Sequence, residues 1–282
     1  MHDLHTQIHT AIGRQPTNLQ SLSGGMIGQV YRVTLSDGET IVAKTSTDTD
    51  LDIEGYMLTY LKENSQLPVP TVLHRSPDLL LMTVINGSST LSAAAQAHAG
   101  ELLAALHSIT APHFGLERDT LIGSLHQPNP KYDSWIAFFR EQRLLHMGKK
   151  AVDEGSLPPA IFSRLETFCG RLDRYIAEPD QPSLIHGDMW TTNILAEGGK
   201  ITGFIDPAIY YAHPEIELAF STLFNTFNKT FFDSYASIRP IESGFFEQRR
   251  DIYNLYPLLV HVRLFGGGYV RSVDAILKGL GV

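Results

Sequence analysis

The chain has 282 residues with 43% hydrophobic and 18% charged residues, a balance that suits a globular protein with a full core and room for two lobes. Its formal charge of -8 excludes a nucleic-acid binder built on a basic stripe, though not a protein that holds one nucleotide through a local lysine and a metal. The single cysteine, Cys169, excludes an intramolecular disulfide and a cysteine-based zinc site; among Leu165, Phe168 and Leu172 at helical spacing it reads as a buried thiol.

The opening residues carry neither a basic nor an apolar targeting region, and no later run approaches membrane-span length. The expected location is therefore the cytoplasm, with no membrane partner. Residues 3 to 12 predict a short helix. His5 and His9, four apart on it, suit metal binding or plain solvation, and no third ligand accompanies them. The stretch from Leu19 to Val33 then places Gly24, Gly25 and Gly28 before an alternation of Val30, Arg32 and Thr34 with Tyr31, Val33 and Leu35. That alternation predicts a half-buried strand. Against the pattern G-x-G-x-x-G-x-V, Gly25, Gly28 and Val30 fit and Ser23 takes the first glycine place, which suits a loop whose backbone approaches a phosphate. A plain hairpin turn at the glycine pair is the other reading.

Asp37 and Gly38 predict a tight turn into a strand from Thr40 to Lys44. A lysine that follows three apolar residues in a packed strand either snorkels outward or has an anionic partner. The predicted helix from Leu51 to Lys62 offers one, because Glu54 shares a stripe with Met57, Leu58 and Leu61. Such a lysine and glutamate position the α- and β-phosphates in a protein-kinase-like fold; the alternative leaves Glu54 at the solvated edge of the stripe. Segments from Pro68 to His74 and from Leu79 to Ile85 predict two more strands, which completes a five-stranded sheet with one helix after the third strand. Asn86 to Ser89 reads as a hinge between a nucleotide-binding lobe at 1–85 and a catalytic, substrate-binding lobe at 86–282. The backbones of Thr83 and Ile85 are placed to bond an adenine edge.

From Leu91 the chain turns helical, with predicted helices from Ser92 to His107, around Trp135 to Leu145, and from Pro159 to Ile176. Residues 111 to 130, rich in His, Pro and Gly, read as a loop over the cleft entrance. The densest chemistry follows, where two short apolar strands from Leu184 to Leu195 and from Ile201 to Asp206 set Asp188, Asn193 and Asp206 at the junctions of strand and loop. Phosphoryl transfer needs such a set: a carboxylate that takes the proton of the attacking hydroxyl, and two oxygen ligands for magnesium. Ordinary turn chemistry explains an isolated Asp and Asn equally well, so the matching order of parts carries the reading. After Asp206 the chain passes quickly into a predicted helix from Glu215 to Phe220, which leaves no room for a long activation segment and implies a small acceptor. Helix from Phe245 to Phe265, a break at Gly266 to Gly268 and a last helix from Val270 end the chain.

His186, Gly187, Asp188, Trp190 and Asn193, with Asp206, Pro207 and Ala208 and the later His213, Glu215, Glu217, Leu218 and Ala219, are similar to the H-G-D-L-W-x-x-N and D-P-A…H-x-E-x-E-L-A motifs of fructosamine kinases. The chain resembles that family, the ketosamine 3-kinases, over nearly its whole length, within the wider group of aminoglycoside-phosphotransferase-like and choline-kinase-like enzymes. The resemblance implies an α+β, protein-kinase-like bilobal fold and transfer of the ATP γ-phosphoryl to a hydroxyl of a sugar-derived ketoamine, typically on its third carbon. It implies ATP and Mg2+ as cofactors, Asp188 as catalytic base, Asn193 and Asp206 as magnesium ligands, Lys44 as the phosphate-binding lysine and Glu54 as its partner.

His186 is expected to fix the loop around Asp188 rather than move a proton. Trp190 offers a stacking face to a sugar, or else packs against the loop of Asp206. Glu215 and Glu217 are expected to fix the loop after Asp206, and Thr192, at a place where the family commonly has a glycine, to narrow the acceptor pocket. Two other readings stay open: a kinase for another small hydroxylated acceptor, such as an aminoglycoside or a choline-like alcohol, and a scaffold that binds nucleotide without turnover.

Overall fold

The computed structural model describes residues 4–22 and 28–282. Gly25, and with it most of the glycine loop and Ser23, lies outside them. The first part of the chain runs α1 (Leu4–Ile12), β1 (Pro16–Leu22), β2 (Gln29–Leu35), β3 (Thr40–Thr45), α2 (Leu51–Asn64), β4 (Val72–Arg75) and β5 (Leu79–Thr83). Its strands form one antiparallel five-stranded sheet in the order β1-β2-β3-β5-β4. The turn into β3 has Gly38 at φ +86°, the left-handed region a glycine reaches freely. Asp50 caps α2 by accepting from the Asp52 N–H. The run from Leu79 to Met82 is apolar throughout because β5 is covered on both sides. Leu79 and Leu81 join Ile8 of α1, while Leu80 and Met82 join the core beneath α2.

Two predicted strands are longer in the sequence reading than in the structure. Pro68 to Thr71 precedes β4, since prolines at 68 and 70 cannot donate to a ladder; β5 ends at Thr83, ahead of Val84 and Ile85. The Asn86 to Ser89 connector is fastened to the second part of the molecule. Ser88 exchanges backbone hydrogen bonds of 3.0 and 2.9 Å with Ala196, and a Cβ on Gly87 would lie 2.8 Å from the Ala196 carbonyl.

The second part is mainly helical. It contains α3 (Ala93–His107), the hairpin β6 (Thr120–Ile122) and β7 (Leu125–Gln127), α4 (Trp135–Phe138), a π-helical stretch Phe139–Leu145, α5 (His146–Asp153) and α6 (Pro159–Cys169). Residues 111 to 130 are thus built around a hairpin, anchored by buried Thr120, Gln127 and Asn129. The predicted helix from Pro159 stops at Cys169, and a separate turn of 3-10 helix at Leu172–Arg174 follows Gly170. Cys169 is buried, and burial pushes its thiol up to about 12, as a structural cysteine requires.

Next come β8 (Ser183–Ile185), β9 (Ile194–Glu197), β10 (Lys200–Phe204), β11 (Tyr210–Ala212), α7 (Glu215–Leu223), α8 (Lys229–Ile238), a π-helical turn Phe245–Arg249, α9 (Arg250–Phe265) and α10 (Gly268–Gly279). Helix α8 escapes the sequence reading because its short run carries Phe231, Phe232 and Tyr235, aromatic residues that suit a strand as well as a helix. Its place is made by Gly100 of α3, where a Cβ would sit 2.7 Å from the Phe231 carbonyl. Among the described residues no helix is long and apolar enough to cross a membrane.

Candidate active site

Strand β3 and helix α2 supply a buried ion pair. Lys44, 4% exposed, donates from Nζ to Glu54 Oε2 at 2.7 Å and to Asp206 Oδ1 at 3.2 Å. Burial works against the lysine charge, but Glu54 and Asp206 overcome it and hold the group above its ordinary pKa. Burial raises the Glu54 carboxyl while Lys44 opposes the rise. The solvated alternative for Glu54 is therefore not realised; the carboxylate faces inward onto the lysine.

Strands β8 and β9 hold the loop from His186 to Asn193 between them. Gly187, at φ +85°, lies so close to the next segment that a Cβ would meet the Ala208 carbonyl at 2.0 Å, so only glycine passes here. Asn193 Nδ2 donates to both the Asp188 carbonyl at 3.0 Å and Asp188 Oδ2 at 2.9 Å. Burial, and next the charge of Asp206, raise the Asp188 carboxyl to about 8, with Asn193 opposing. Asp206 follows β10 with φ +51°, an uncommon conformation for a side-chain-bearing residue that turns its carboxylate toward Lys44. Against partial desolvation, Lys44 keeps that half-exposed carboxyl below its ordinary range.

The loop is braced from behind. His186 Nδ1 accepts from the Asp188 N–H at 3.4 Å, and burial lowers its pKa so that the ring is neutral. Glu217, 2% exposed, accepts from the Gly187 N–H at 2.6 Å, the His186 N–H at 3.2 Å and His107 Nε2 at 2.9 Å. His107 Nδ1 pairs in turn with Tyr235 Oη at 2.8 Å. Glu217 thus fixes the loop before Asp188, not the one after Asp206 as its sequence position suggests. Glu215 points elsewhere and forms a two-pronged pair with Arg249 at 2.6 and 2.7 Å.

Two cavities meet at these residues. One of about 190 Å3 is lined by Asp188, Trp190, Asn193, Leu121 and Gly123. The other, about 570 Å3, runs under the sheet past Val30, Val42, Met82, Thr83 and Ile85. Lys44, Thr192, Ile205 and Asp206 line both. Trp190 packs on Phe224 with ring centroids 5.4 Å apart and edge-on to His261 at 6.4 Å, and lines the smaller cavity together with Ile205, Asp206 and Pro207. The Thr83 N–H is already bonded to the Thr71 carbonyl at 2.9 Å, which withdraws that group from an adenine edge. Gly28, at φ +72°, serves the sheet itself, since a Cβ there would lie 2.1 Å from the Thr45 carbonyl. Leu121, Gly123 and Thr49 line the smaller cavity without being named singly in the sequence analysis; the first two fall in residues 111 to 130, the stretch read there as a loop over the cleft entrance.

Asn193 and Asp206 offer oxygen donors, the chemistry a hard cation such as magnesium takes. Because Asn193 turns its amide nitrogen to Asp188, its carbonyl oxygen is directed away from that carboxylate. Two protein oxygens suit magnesium, which draws its remaining ligands from phosphates and water. Among the described residues no cluster of three or more His, Cys, Asp or Glu competes for a metal, and His5 instead contacts the Pro16 carbonyl at 3.3 Å.

The family model "Fructosamine kinase" matches residues 1–280. A Vibrio parahaemolyticus protein assigned as a ketoamine kinase is 31% identical over 94% of this chain and 92% of its own length. A Synechocystis protein of the same assignment is 40% identical over 64% of this chain, a match that spans 60% of that relative's length. The crystal structure of a Thermobifida fusca protein assigned as a fructosamine-3-kinase superposes with a TM-score of 0.86 at 29% identity, covering 99% of each chain.

Proposed function

The chain belongs to the fructosamine kinase family, and from that premise we propose that it transfers the γ-phosphoryl of ATP to a sugar hydroxyl of a ketoamine, a deglycation-type repair step. The observation that carries the reading is the meeting of Lys44, Glu54, Asp188, Asn193 and Asp206 at the junction of two cavities. A protein-kinase-like fold with a five-stranded sheet beside a larger helical part supplies the setting. In this reading residues 1–85 bind nucleotide and 86–282 bind the acceptor and carry the chemistry. The partners are ATP and a small sugar-amine, without nucleic acid or membrane, in the cytoplasm.

The larger cavity takes the nucleotide base between Val30, Val42 and Met82, near Thr83 and Ile85. Lys44, aimed by Glu54, meets the α- and β-phosphates. The acceptor enters the smaller cavity with its sugar against Trp190. Asp188 takes the proton of the attacking hydroxyl; the oxygen–phosphorus bond forms as the bond to the β-phosphate oxygen breaks and its electrons leave with ADP. Asn193 and Asp206 would hold magnesium, which supplies charge neutralisation on the phosphates. The protein contributes mainly position and preset charge.

The deciding experiment is magnesium-dependent ADP release with ribulosyl-lysine, fructosyl-lysine, an aminoglycoside, choline and no acceptor, each repeated with Asp188→Asn. Turnover confined to the two ketoamines, with phosphate recovered on the sugar, is the expected outcome. Turnover on another acceptor instead would overturn the substrate class.

A further inference from the structure

Helix α2, which carries Glu54, is tied to the other half of the molecule by a cluster that the catalytic reading does not use. Tyr56, two residues beyond Glu54, donates its hydroxyl to Glu117. The Arg118 guanidinium lies 4.6 Å from the centre of the Tyr56 ring, within cation–π range. Arg118 also pairs with Asp52 of the same helix at 3.5 Å, and one turn beyond Tyr56 the Tyr60 and Tyr211 hydroxyls lie 3.1 Å apart.

Glu117 and Arg118 lead directly into β6, whose hairpin is braced from below. Asn129 Nδ2 donates to the Arg118 carbonyl at 3.3 Å and to Thr120 Oγ1 at 2.8 Å, and Arg143 holds Asn129 Oδ1 at 2.6 Å. The helix side is less constrained, since Asp52, Tyr56 and Tyr60 are only partly buried. A helix fixed at one face by a rigid hairpin keeps its remaining side chains in register. Glu54 is one of them.

We propose that Tyr56 and Arg118 are positioning residues that latch α2 to the β6–β7 hairpin, so that Glu54 holds Lys44 in the place where it meets a nucleotide's phosphates. The idea rests on the kinase reading only through Lys44 as a phosphate ligand. It needs no acceptor. Because Leu121 and Gly123 of the same hairpin line the smaller cavity, one element sets both the lysine and the acceptor end of the cleft.

The test is the affinity for ADP with magnesium, measured by calorimetry on the whole chain as wild type, Arg118→Ala, Arg118→Lys and Tyr56→Phe, with unfolding curves to confirm the fold. Arg118→Ala should weaken ADP about fivefold, the lower end of ordinary site-to-site coupling. Arg118→Lys, which keeps a cation over the ring, should recover part of the loss; Tyr56→Phe should show a smaller loss. The decisive comparison is a double-mutant cycle. In a Lys44→Ala background Arg118→Ala should weaken ADP no further, an outcome that a general loss of structure does not give. Wild-type ADP affinity in Arg118→Ala, or an equal loss with and without Lys44, overturns the latch. Since ADP binding uses no acceptor, a wrong ketoamine assignment leaves this result intact and shows itself separately as absent turnover in the wild type.

Discussion

The carboxylate of Glu217 accepts the Gly187 N–H at 2.6 Å, and through this bond a residue of α7 sets the backbone just before Asp188. An anionic acceptor is worth more than a neutral one, typically about 1.5–3 kcal/mol per bond. Glu217→Gln keeps the shape but gives up the charge and one acceptor oxygen, so kcat should fall by about ten- to a hundredfold with ADP affinity unchanged. Steady-state kinetics beside calorimetry checks this; a loss of nucleotide affinity with full kcat would assign Glu217 elsewhere.

Asp188→Asn should lower kcat by about 10²–10⁴ and leave nucleotide affinity near that of the wild type. In the nucleotide-free protein the Asp188 carboxyl titrates at about 8, raised by burial and by Asp206. The sign follows: the ionised, proton-accepting form gains population as pH rises, and Asp206→Asn removes a neighbouring negative charge and moves the titration downward. Carboxyl-carbon NMR of the metal-free protein reads both. An Asp188 that titrates at an ordinary value of about 4 would remove the coupling to Asp206.

Most of this site is legible in the chain because each part has a local cause. Lys44 after three apolar residues demands an anion, Glu54 on an apolar stripe demands a cation, and the structure joins them. The spacing of Asp188 to Asn193 places an amide against a carboxylate through one short loop. The bracing is not local. Glu217, His107 and Tyr235 meet across three helices, and no periodicity in any one of them signals the others. Hairpin β6–β7 is hidden for a similar reason: its strands are short, and its stability comes from Thr120, Gln127, Asn129 and Arg143, polar residues that a sequence reading assigns to the surface. Helix α8 depends on Gly100 of a distant helix for its packing.

Gly187→Ala should be far more damaging than its size implies. The added methyl would sit 2.0 Å from the Ala208 carbonyl at φ +85°. The dihedral alone costs about 1–2 kcal/mol, and the backbone must shift besides. Thermal unfolding should show a marked loss of stability, and any folded fraction should be inactive. A variant with wild-type stability and activity would contradict the close contact.

Thr192 lines both cavities, so Thr192→Gly removes bulk at their junction, together with the 3.4 Å hydrogen bond from Thr192 Oγ1 to Asn193 Oδ1. The variant should broaden acceptor choice by several-fold, read as the ratio of kcat/KM for fructosyl-lysine and ribulosyl-lysine. ADP affinity without magnesium should stay within about twofold, since Thr192 is exposed and its hydroxyl bonds only the side chain of Asn193. An unchanged ratio would free Thr192 of any part in acceptor selection.

Histidines that the fold holds neutral should make it sensitive to acid. Burial lowers His213 from 6.5 to about 3, and its Nδ1 accepts the Glu215 N–H at 3.1 Å, a bond that needs the neutral ring. Between those two values the unfolded chain binds a proton that the folded protein does not. Stability is therefore full above about 6.5 and declines as pH falls toward the folded value, at up to about 1.4 kcal/mol per pH unit for one such group. His213→Asn keeps an acceptor for the Glu215 N–H and has nothing to titrate, so its unfolding free energy should depend less steeply on pH between 6.5 and 4.5, measured by urea denaturation. His186 and His261, also lowered by burial, keep some of the dependence in the variant. Parallel pH profiles for the two proteins would mean that His213 takes up its proton without unfolding the chain.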